Sequence, residues 1–233
     1  MSPKALLIII AVLVLARLVI WFAPAAVPSS KQRAVIREYL DAFIIAGVVA
    51  LVLMQFVVRT FYIPSGSMEP TLDVNDVLLA NELQYRLQNP KDGQIAVFEP
   101  PPVLGTTDFI KRVMAAPGDT LQIRKGVVYR NGARVDEPYV QNKADYELQI
   151  RDYNVYVDGV PLDTSRAILP PRSQWQAPDR VPNGYYLMLG DNRTDSDDGH
   201  LWGFLKRDQF VGHAFVVFWP PKHARFLRMP DPP

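Results

Sequence analysis

The sequence predicts a mainly β protein, with two membrane-spanning helices at its N-terminus followed by an antiparallel β-sheet domain that carries an inserted accessory β subdomain. Three observations support this fold class. Two long apolar runs lie near the start of the chain, short apolar runs broken by turn residues follow residue 60, and two similar hairpin patterns lie within 121–163. Long helical periodicity is absent after residue 60, and the 21 prolines of the chain disfavour it.

The two apolar runs cover residues 5–27 and 42–58. Each is close to the roughly 20 residues that a helix needs to cross the hydrocarbon core of a membrane. We therefore expect a first transmembrane helix over 1–27, a loop over 28–40 and a second transmembrane helix over 41–59. Basic residues favour the cytoplasmic side of a membrane.

The densest basic cluster near these helices is Lys31, Arg33 and Arg37, which places the loop in the cytoplasm and residues after about 60 on the outer face of a bacterial inner membrane. Arg17 interrupts the first run near the same side, where its long side chain can reach the interface. The chain would therefore be a multi-pass membrane protein.

An alternative for the first run is a cleavable secretory signal, because Lys4 precedes it and Ala23-Pro24-Ala25-Ala26 resembles a cleavage site. The run is longer than a usual signal core. Cleavage would also leave the rest of the chain in the cytoplasm, so a retained helix is favoured.

After residue 60 the pattern favours strands at 77–80, 94–98, 109–115 and 211–219. We assign the main β core to 60–120 and 184–221, an accessory β insert with two hairpins to 121–183, and a C-terminal tail to 222–233. The segment 161–182 is rich in proline and is expected to be a surface loop that returns to the core.

A repeat lies within the insert. The pattern of residues 121–136 recurs 27 positions later in 148–163, and both copies contain a turn-forming pair, Asn131-Gly132 and Asp158-Gly159. Such pairs between strand-like flanks strongly favour hairpins. Either a hairpin was duplicated, extending the domain toward a partner, or two similar hairpins resemble each other by chance.

Composition excludes several functions. The net charge of +1 gives no support for a nucleic-acid partner, and the absence of cysteine excludes disulfides and thiolate chemistry. The three histidines, His200, His213 and His223, do not have metal-ligand spacing, so we expect no metal and no cofactor, and a histidine-based serine triad is disfavoured.

Three segments carry candidate chemistry: 63–72 (IPSGSMEPTL), 108–114 (DFIKRVM) and 190–198 (GDNRTDSDD). A serine hydroxyl such as that of Ser67 needs a base, and a lysine can serve only when burial lowers its pKa enough to make it neutral. Lys111 shares a strand face with Phe109 and Val113, which suits that role. The alternative is a surface lysine, which the adjacent Arg112 favours.

In this order and behind apolar spans, the three segments resemble the bacterial type I signal peptidase (leader peptidase) family of Ser-Lys dyad serine endopeptidases. The resemblance implies that Ser67 is the nucleophile, Lys111 the general base and Ser65 an oxyanion donor beside the Ser67 backbone N–H. It further implies that Ser196 orients the lysine amine. A polar scaffold around the site would consist of Asp191, paired with Arg112, and of Asn192, Arg193 and Asp198.

The family resemblance implies a membrane-bound endopeptidase that cleaves signal peptides from exported preproteins after small residues, at sites of the Ala-X-Ala type. Shallow apolar substrate pockets would be lined by Ile63, Pro64, Met68, Leu72, Phe109 and Ile110. The implied partners are exported preproteins, membrane lipid and the secretion translocon. Asp195 and Asp197 are interpreted as ordinary loop residues.

The sequence departs from the family pattern at two places. Asp198-Gly199-His200 stands where relatives usually have Asp-Ser-Arg, so the arginine that would pair with Asp198 is replaced by His200. Asn75-Asp76 stands where Gly-Asp is usual.

Two other functions are considered. A self-cleaving protease of the LexA kind uses the same dyad, but the apolar spans and the lack of a DNA-binding region disfavour it. A catalytically silent β domain that binds exported chains or a translocon would not need the Ser67–Lys111 pair.

Overall fold

The computed structural model describes residues 3–23, 29–101, 104–165 and 167–227. The chain forms two compact units, Met1–Arg59 and Thr60–Pro233. The first unit contains helices α1 (Pro3–Phe22) and α2 (Ser30–Phe56), which pack against each other. Arg17 Nε of α1 donates to Asp41 Oδ1 of α2 at 2.8 Å, so this arginine has a carboxylate partner.

One helix among the described residues, Lys4–Phe22, is long and apolar enough to cross a membrane, with a mean hydropathy of 2.9. The second predicted transmembrane helix therefore stays a prediction.

Helix α2 already begins at Ser30, so residues 30–40 of the predicted loop over 28–40 are helical. The Ser29 hydroxyl accepts from the backbone N–H of Gln32 and so provides an N-cap for this helix. The predicted second span, 41–59, also ends in a strand rather than a helix, since the first strand begins at Val58.

The strands follow in chain order: β1 (Val58–Tyr62), β2 (Val77–Asn81), β3 (Ile95–Phe98), β4 (Phe109–Ala115), β5 (Leu121–Arg124), β6 (Val127–Arg130), β7 (Ala133–Arg134), β8 (Leu148–Arg151), β9 (Asn154–Val157), β10 (Val160–Pro161), β11 (Tyr185–Leu189), β12 (Phe204–Lys206), β13 (Phe210–Trp219) and β14 (Arg225–Phe226). Two short helices, α3 (Glu82–Leu87) and α4 (Gly199–Trp202), lie between strands. The four strands predicted from the apolar runs correspond to β2, β3, β4 and β13.

The strands form two sheets within the described residues. In the first sheet the order is β1-β2-β13-β3-β4-β11-β12, with β14 paired to β13, and in the second it is β10-β9-β8-β5-β6-β7. The pairs formed between β2, β13, β3, β4, β11 and β12 are antiparallel, as are those of the second sheet. This confirms the mainly antiparallel β fold.

The second sheet is built from the predicted repeat, and its two halves correspond closely. The backbone N–H of Thr120 donates to Asn131 Oδ1 at 2.9 Å, and the equivalent Glu147 N–H donates to Asp158 Oδ1 at 2.8 Å. Both acceptor residues have positive φ, as tight hairpin turns require. The two hairpins therefore share the same turn geometry, and the duplicated-hairpin interpretation stays a prediction.

One apolar core joins the two sheets. The inner face of the second sheet contributes Leu121, Ile123, Leu148 and Ile150, all at most 2% exposed. They pack in one cluster with Leu187, Leu189 and Phe204 of β11 and β12. Complete burial of such a side chain stabilises a fold by roughly 1.5–3 kcal/mol. The second sheet is therefore firmly attached to the sheet that contains β4.

Candidate active site

Ser67 lies in the loop between β1 and β2, held by buried apolar neighbours. Ile63 and Met68 are 3% and 1% exposed and belong to the core cluster of β2, β3 and β13. Because the loop is fixed on both sides of the serine, the Ser67 hydroxyl has a defined position at the edge of a cleft.

Lys111 is on β4, and its Nζ donates to Ser67 Oγ at 2.6 Å. The lysine is only 4% exposed. Burial lowers the pKa of Lys111, while the carboxylates of Asp198, Asp197, Asp191 and Asp195 act in the opposite direction. Because burial is the larger effect, the pKa of Lys111 lies below its ordinary value.

Arg112, the next residue on β4, forms the predicted pair with Asp191. Arg112 Nε donates to Asp191 Oδ1 at 2.8 Å, and Arg112 Nη1 donates to the Gly93 carbonyl at 2.8 Å. Both charged side chains are almost completely buried. Buried charges of this kind are tolerated only when they are paired and hydrogen-bonded.

The loop that follows β11 lies directly on the backbone of Ser67. The backbone N–H of Asn192 donates to the Ser67 carbonyl at 3.1 Å, and Asn192 Nδ2 donates to the Gly66 carbonyl at 3.2 Å. A Cβ atom at Gly190 would lie 2.4 Å from the Ser67 carbonyl oxygen, so this position requires glycine.

Asp198 is completely buried, and its Oδ2 accepts from the Gly190 N–H at 2.8 Å. His200 Nδ1 lies 2.8 Å from Asp198 Oδ1. The histidine thus contacts the carboxylate that relatives are expected to pair with arginine. Ser196 is also buried, but its Oγ has no hydrogen-bond partner in the part of the chain that the structure describes, so the expected bond to the lysine amine is not formed.

The cleft beside the Ser67–Lys111 pair has a volume of about 280 Å³. Of the predicted oxyanion and substrate residues, it is lined by Ile63, Pro64, Ser65, Met68, Phe109 and Ile110. The cleft lining does not include Leu72, which is completely buried in the core.

Among the residues that line the cleft, Asp195 and Asp197 were not predicted to belong to the site. The two aspartates were interpreted as ordinary loop residues. A signal was present, because they flank Ser196, and alternating positions of a short loop can face the same side.

Asp73, Asp76 and His223 form a separate cluster whose potential ligand atoms lie within 4.8 Å of one another. Asp76 Oδ1 is 2.7 Å from His223 Nδ1, and Arg225 Nη2 is 3.6 Å from Asp76 Oδ2. Arg225 therefore supplies positive charge beside the Asp76 carboxylate.

Comparison with known proteins gives a consistent result. The family model described as signal peptidase, peptidase S26, matches residues 36–219. A probable signal peptidase I-2 of Synechocystis sp. is 38% identical over 194 residues, covering 82% of this chain and 76% of that protein. The signal peptidase I of Leptolyngbya laminosa is 35% identical over 206 residues, covering 84% of this chain and 88% of that protein.

A more distant relative is the signal peptidase I of Pseudomonas aeruginosa, 31% identical over 226 residues, with 84% of this chain and 78% of that protein covered. A crystal structure of a signal peptidase I from Enterococcus faecalis matches 54% of this chain and 97% of that chain at 27% identity, with a TM-score of 0.38. The chain belongs to the S26 signal peptidase family and is a serine endopeptidase of the signal peptidase I type.

Proposed function

We propose that this protein is a membrane-bound endopeptidase that removes signal peptides from exported preproteins by cutting after small residues, with Ser67 as nucleophile and Lys111 as general base. The observation that carries the proposal is the 2.6 Å hydrogen bond from Lys111 Nζ to Ser67 Oγ. Family membership supports the substrate class.

In the proposed mechanism, Ser67 Oγ attacks the scissile carbonyl carbon while neutral Lys111 takes the hydroxyl proton. The carbonyl oxygen becomes negative and is stabilised by the Ser65 hydroxyl and the Ser67 backbone N–H. The C–N bond then breaks, and the Lys111 ammonium gives its proton to the leaving amine. A water molecule, activated in turn by neutral Lys111, hydrolyses the acyl-enzyme and regenerates the serine.

The cleft suits an extended peptide. The segments that contain Ile63 and Phe109 both line the cleft. A substrate strand would lie along them, with alternate side chains entering the cleft. Ile63, Met68 and Ile110 make part of the lining apolar, which suits small apolar residues such as alanine at the first and third positions before the cut.

The test is incubation of the full-length protein in detergent with a synthetic precursor whose signal ends in Ala-X-Ala, followed by mass analysis. One cut after the second alanine is expected, and Ser67→Ala and Lys111→Ala should each abolish it. The double variant should lose little more, because residues of one catalytic unit are not additive. Substantial turnover by either single variant would refute the dyad.

We also propose that both N-terminal apolar segments anchor the enzyme in the inner membrane. The catalytic domain would then lie on the outer face of that membrane. The apolar Lys4–Phe22 helix supports an anchor. Phe218, Trp219 and Phe226 are 43%, 55% and 76% exposed, and aromatic side chains favour a membrane interface. Binding to the secretion translocon stays a prediction.

Flotation with vesicles that contain anionic lipid tests the surface contact. Residues 60–233 should float at low salt, and the Phe218→Ser/Trp219→Ser double variant should float less. Equal recovery of both proteins in the bottom fraction would contradict the proposal.

A further inference from the structure

The segment 137–147 connects the two copies of the repeat, and we call it the linker. It contains no strand, yet Ala144 and Tyr146 are buried in the core cluster of the second sheet. Gly126 of the β5–β6 turn allows this close packing, because a Cβ there would lie 2.9 Å from Lys143 Cβ. The linker is therefore anchored on the second sheet.

From this anchor the linker reaches the loop after β11, which bonds the backbone of Ser67. Glu137 forms a two-point ion pair with Arg193, through Glu137 Oε1 with Arg193 Nη2 and Glu137 Oε2 with Arg193 Nη1. The side chains of Arg193 and Glu137 are 1% and 9% exposed. Arg193 Nε in turn donates to the Gly190 carbonyl at 2.9 Å.

A second contact is made by Tyr139. The centre of its ring lies 3.7 Å from the guanidinium carbon of Arg112, which is within range of a cation–π interaction. The Tyr139 hydroxyl donates to Glu137 Oε1 at 3.1 Å, so one linker carboxylate holds both Tyr139 and Arg193. Arg112 is adjacent to Lys111 and pairs with Asp191.

Two further contacts complete the arrangement. Asn142 Nδ2 donates to Asn192 Oδ1 at 3.4 Å, and Asn192 is the residue that bonds the Ser67 carbonyl. The Tyr146 ring stacks on the His200 ring with centroids 4.5 Å apart and planes 14° apart. Four linker side chains thus contact Arg193, Arg112 and Asn192 of the polar scaffold and His200 beside it.

We infer that the linker is a positioning element of the active site, in which Glu137, Tyr139, Asn142 and Tyr146 fix the loop that orients Ser67 and closes over Lys111. The inference rests on the proposed function, since it concerns the same dyad. It gives the accessory sheet a role in the reaction: the sheet holds the linker, and the linker holds the catalytic loop.

Loosening the linker should alter both catalysis and the titration of the base. If the loop moves, the Ser67–Lys111 geometry degrades, and water reaches the lysine. Less desolvation moves the pKa of Lys111 back toward its ordinary value of 10.5. The carboxylates that face the lysine, Asp191, Asp195, Asp197 and Asp198, act in the same direction.

The experiment measures precursor cleavage by the full-length protein, with kcat, KM and the acidic limb of kcat/KM against pH. Tyr139→Leu should lower kcat about tenfold to a hundredfold with little change in KM, as small displacements of catalytic groups do. The acidic limb of its kcat/KM profile should move to higher pH. Tyr139→Phe keeps the ring over Arg112 and should retain most of the activity.

The matched control is Val128→Ala, which creates a cavity in the core of the second sheet without removing any of the four contacts. Its melting temperature should fall, while its kcat and acidic limb stay at wild-type values. If Tyr139→Leu and Val128→Ala change kcat and the limb equally, the effect is only loss of stability and the inference is overturned.

A second variant keeps the test decisive if Tyr139→Leu does not fold. Asn142 is exposed, so Asn142→Ala should fold, and it is compared with its exposed neighbour in Gln141→Ala. A lower kcat in Asn142→Ala alone supports the inference, and equal kcat values overturn it. Ser67→Ala is assayed in parallel: cleavage by that variant refutes the proposed function itself, whatever the linker variants do.

Discussion

The two sheets of the outer domain differ in what they bury. On the first sheet, β4 carries Lys111 and Arg112, which are 4% and 1% exposed and bear charges or polar groups inside the fold. On the second sheet, the equivalent inward positions are apolar, as at Ile123 and Ile150. Burial of charge disfavours folding, whereas burial of apolar surface favours it. The candidate chemistry therefore lies on the first sheet, and the core of the second sheet contributes stability and supports the linker.

This difference explains why the sheets are joined. A sheet that must keep a lysine desolvated needs stable surroundings, since local opening would hydrate the amine. The apolar cluster that includes Leu148 and Leu187 supplies such support across the junction. The comparison predicts that substitutions in the first sheet change activity, while those in the second change stability.

The largest loss of stability is expected when the buried ion pair between Arg112 and Asp191 is broken. Asp191→Asn leaves Arg112 buried without a compensating charge, which should lower the free energy of unfolding by about 3–5 kcal/mol. Cleavage activity should fall as well, because Arg112 is adjacent to the base. Urea unfolding of the variant measures the stability loss.

Leu148→Ala is the matched comparison from the second sheet. It should lose a similar free energy, about 2–5 kcal/mol, by creating a cavity. Its specific activity below the unfolding transition should stay near wild type. If the two variants lose activity equally, the separation of roles between the sheets is wrong.

The next largest effect is expected for Ser65, which lines the cleft two residues before Ser67. Ser65→Ala removes one proposed oxyanion donor and keeps the backbone N–H of Ser67, so kcat should fall about 10²–10³-fold, or roughly 3 kcal/mol. The melting temperature should not change, since the Ser65 side chain is exposed. A loss as complete as that of Ser67→Ala would show that the nucleophile is misassigned.

The sequence predicted the features that short motifs specify, and it did not predict contacts between segments that are distant in the chain. The dyad and the Arg112–Asp191 pair were found because short motifs surround each residue, and the hairpin turns because Asn131-Gly132 and Asp158-Gly159 favour positive φ. The contact between Glu137 and Arg193 could not be predicted, since only the packing of the two sheets brings these distant segments together. The complete burial of Leu72 could not be predicted either, because it also depends on how distant segments pack together.

A smaller loss of stability is expected at the two equivalent hairpin turns of the second sheet. Asn131→Ala and Asp158→Ala each remove a side-chain acceptor for a backbone N–H and place alanine at positive φ. Each should lower stability by about 1–2 kcal/mol, with no change in kcat/KM. Thermal unfolding of both variants measures the loss. A much larger loss at one site would show that the two copies are not equivalent.

The pH dependence of the wild type follows from the buried lysine. Burial lowers the pKa of Lys111 below its ordinary value of 10.5. The base works only when it is neutral, so kcat/KM should be low in acid and rise with pH through this lowered pKa. A flat profile from acidic to mildly alkaline pH would contradict Lys111 as the base.

The smallest change in the pH profile of kcat/KM is expected for His200→Arg. This variant identifies the group whose titration produces the acidic limb of that profile. His200 contacts Asp198, and Asp198 is the carboxylate that raises the pKa of Lys111 most. A permanent positive charge beside Asp198 should offset part of its effect, so the limb should persist and move slightly to lower pH. Disappearance of the limb in His200→Arg would mean that His200 is the titrating group. A shift to higher pH would show that the arginine does not pair with Asp198.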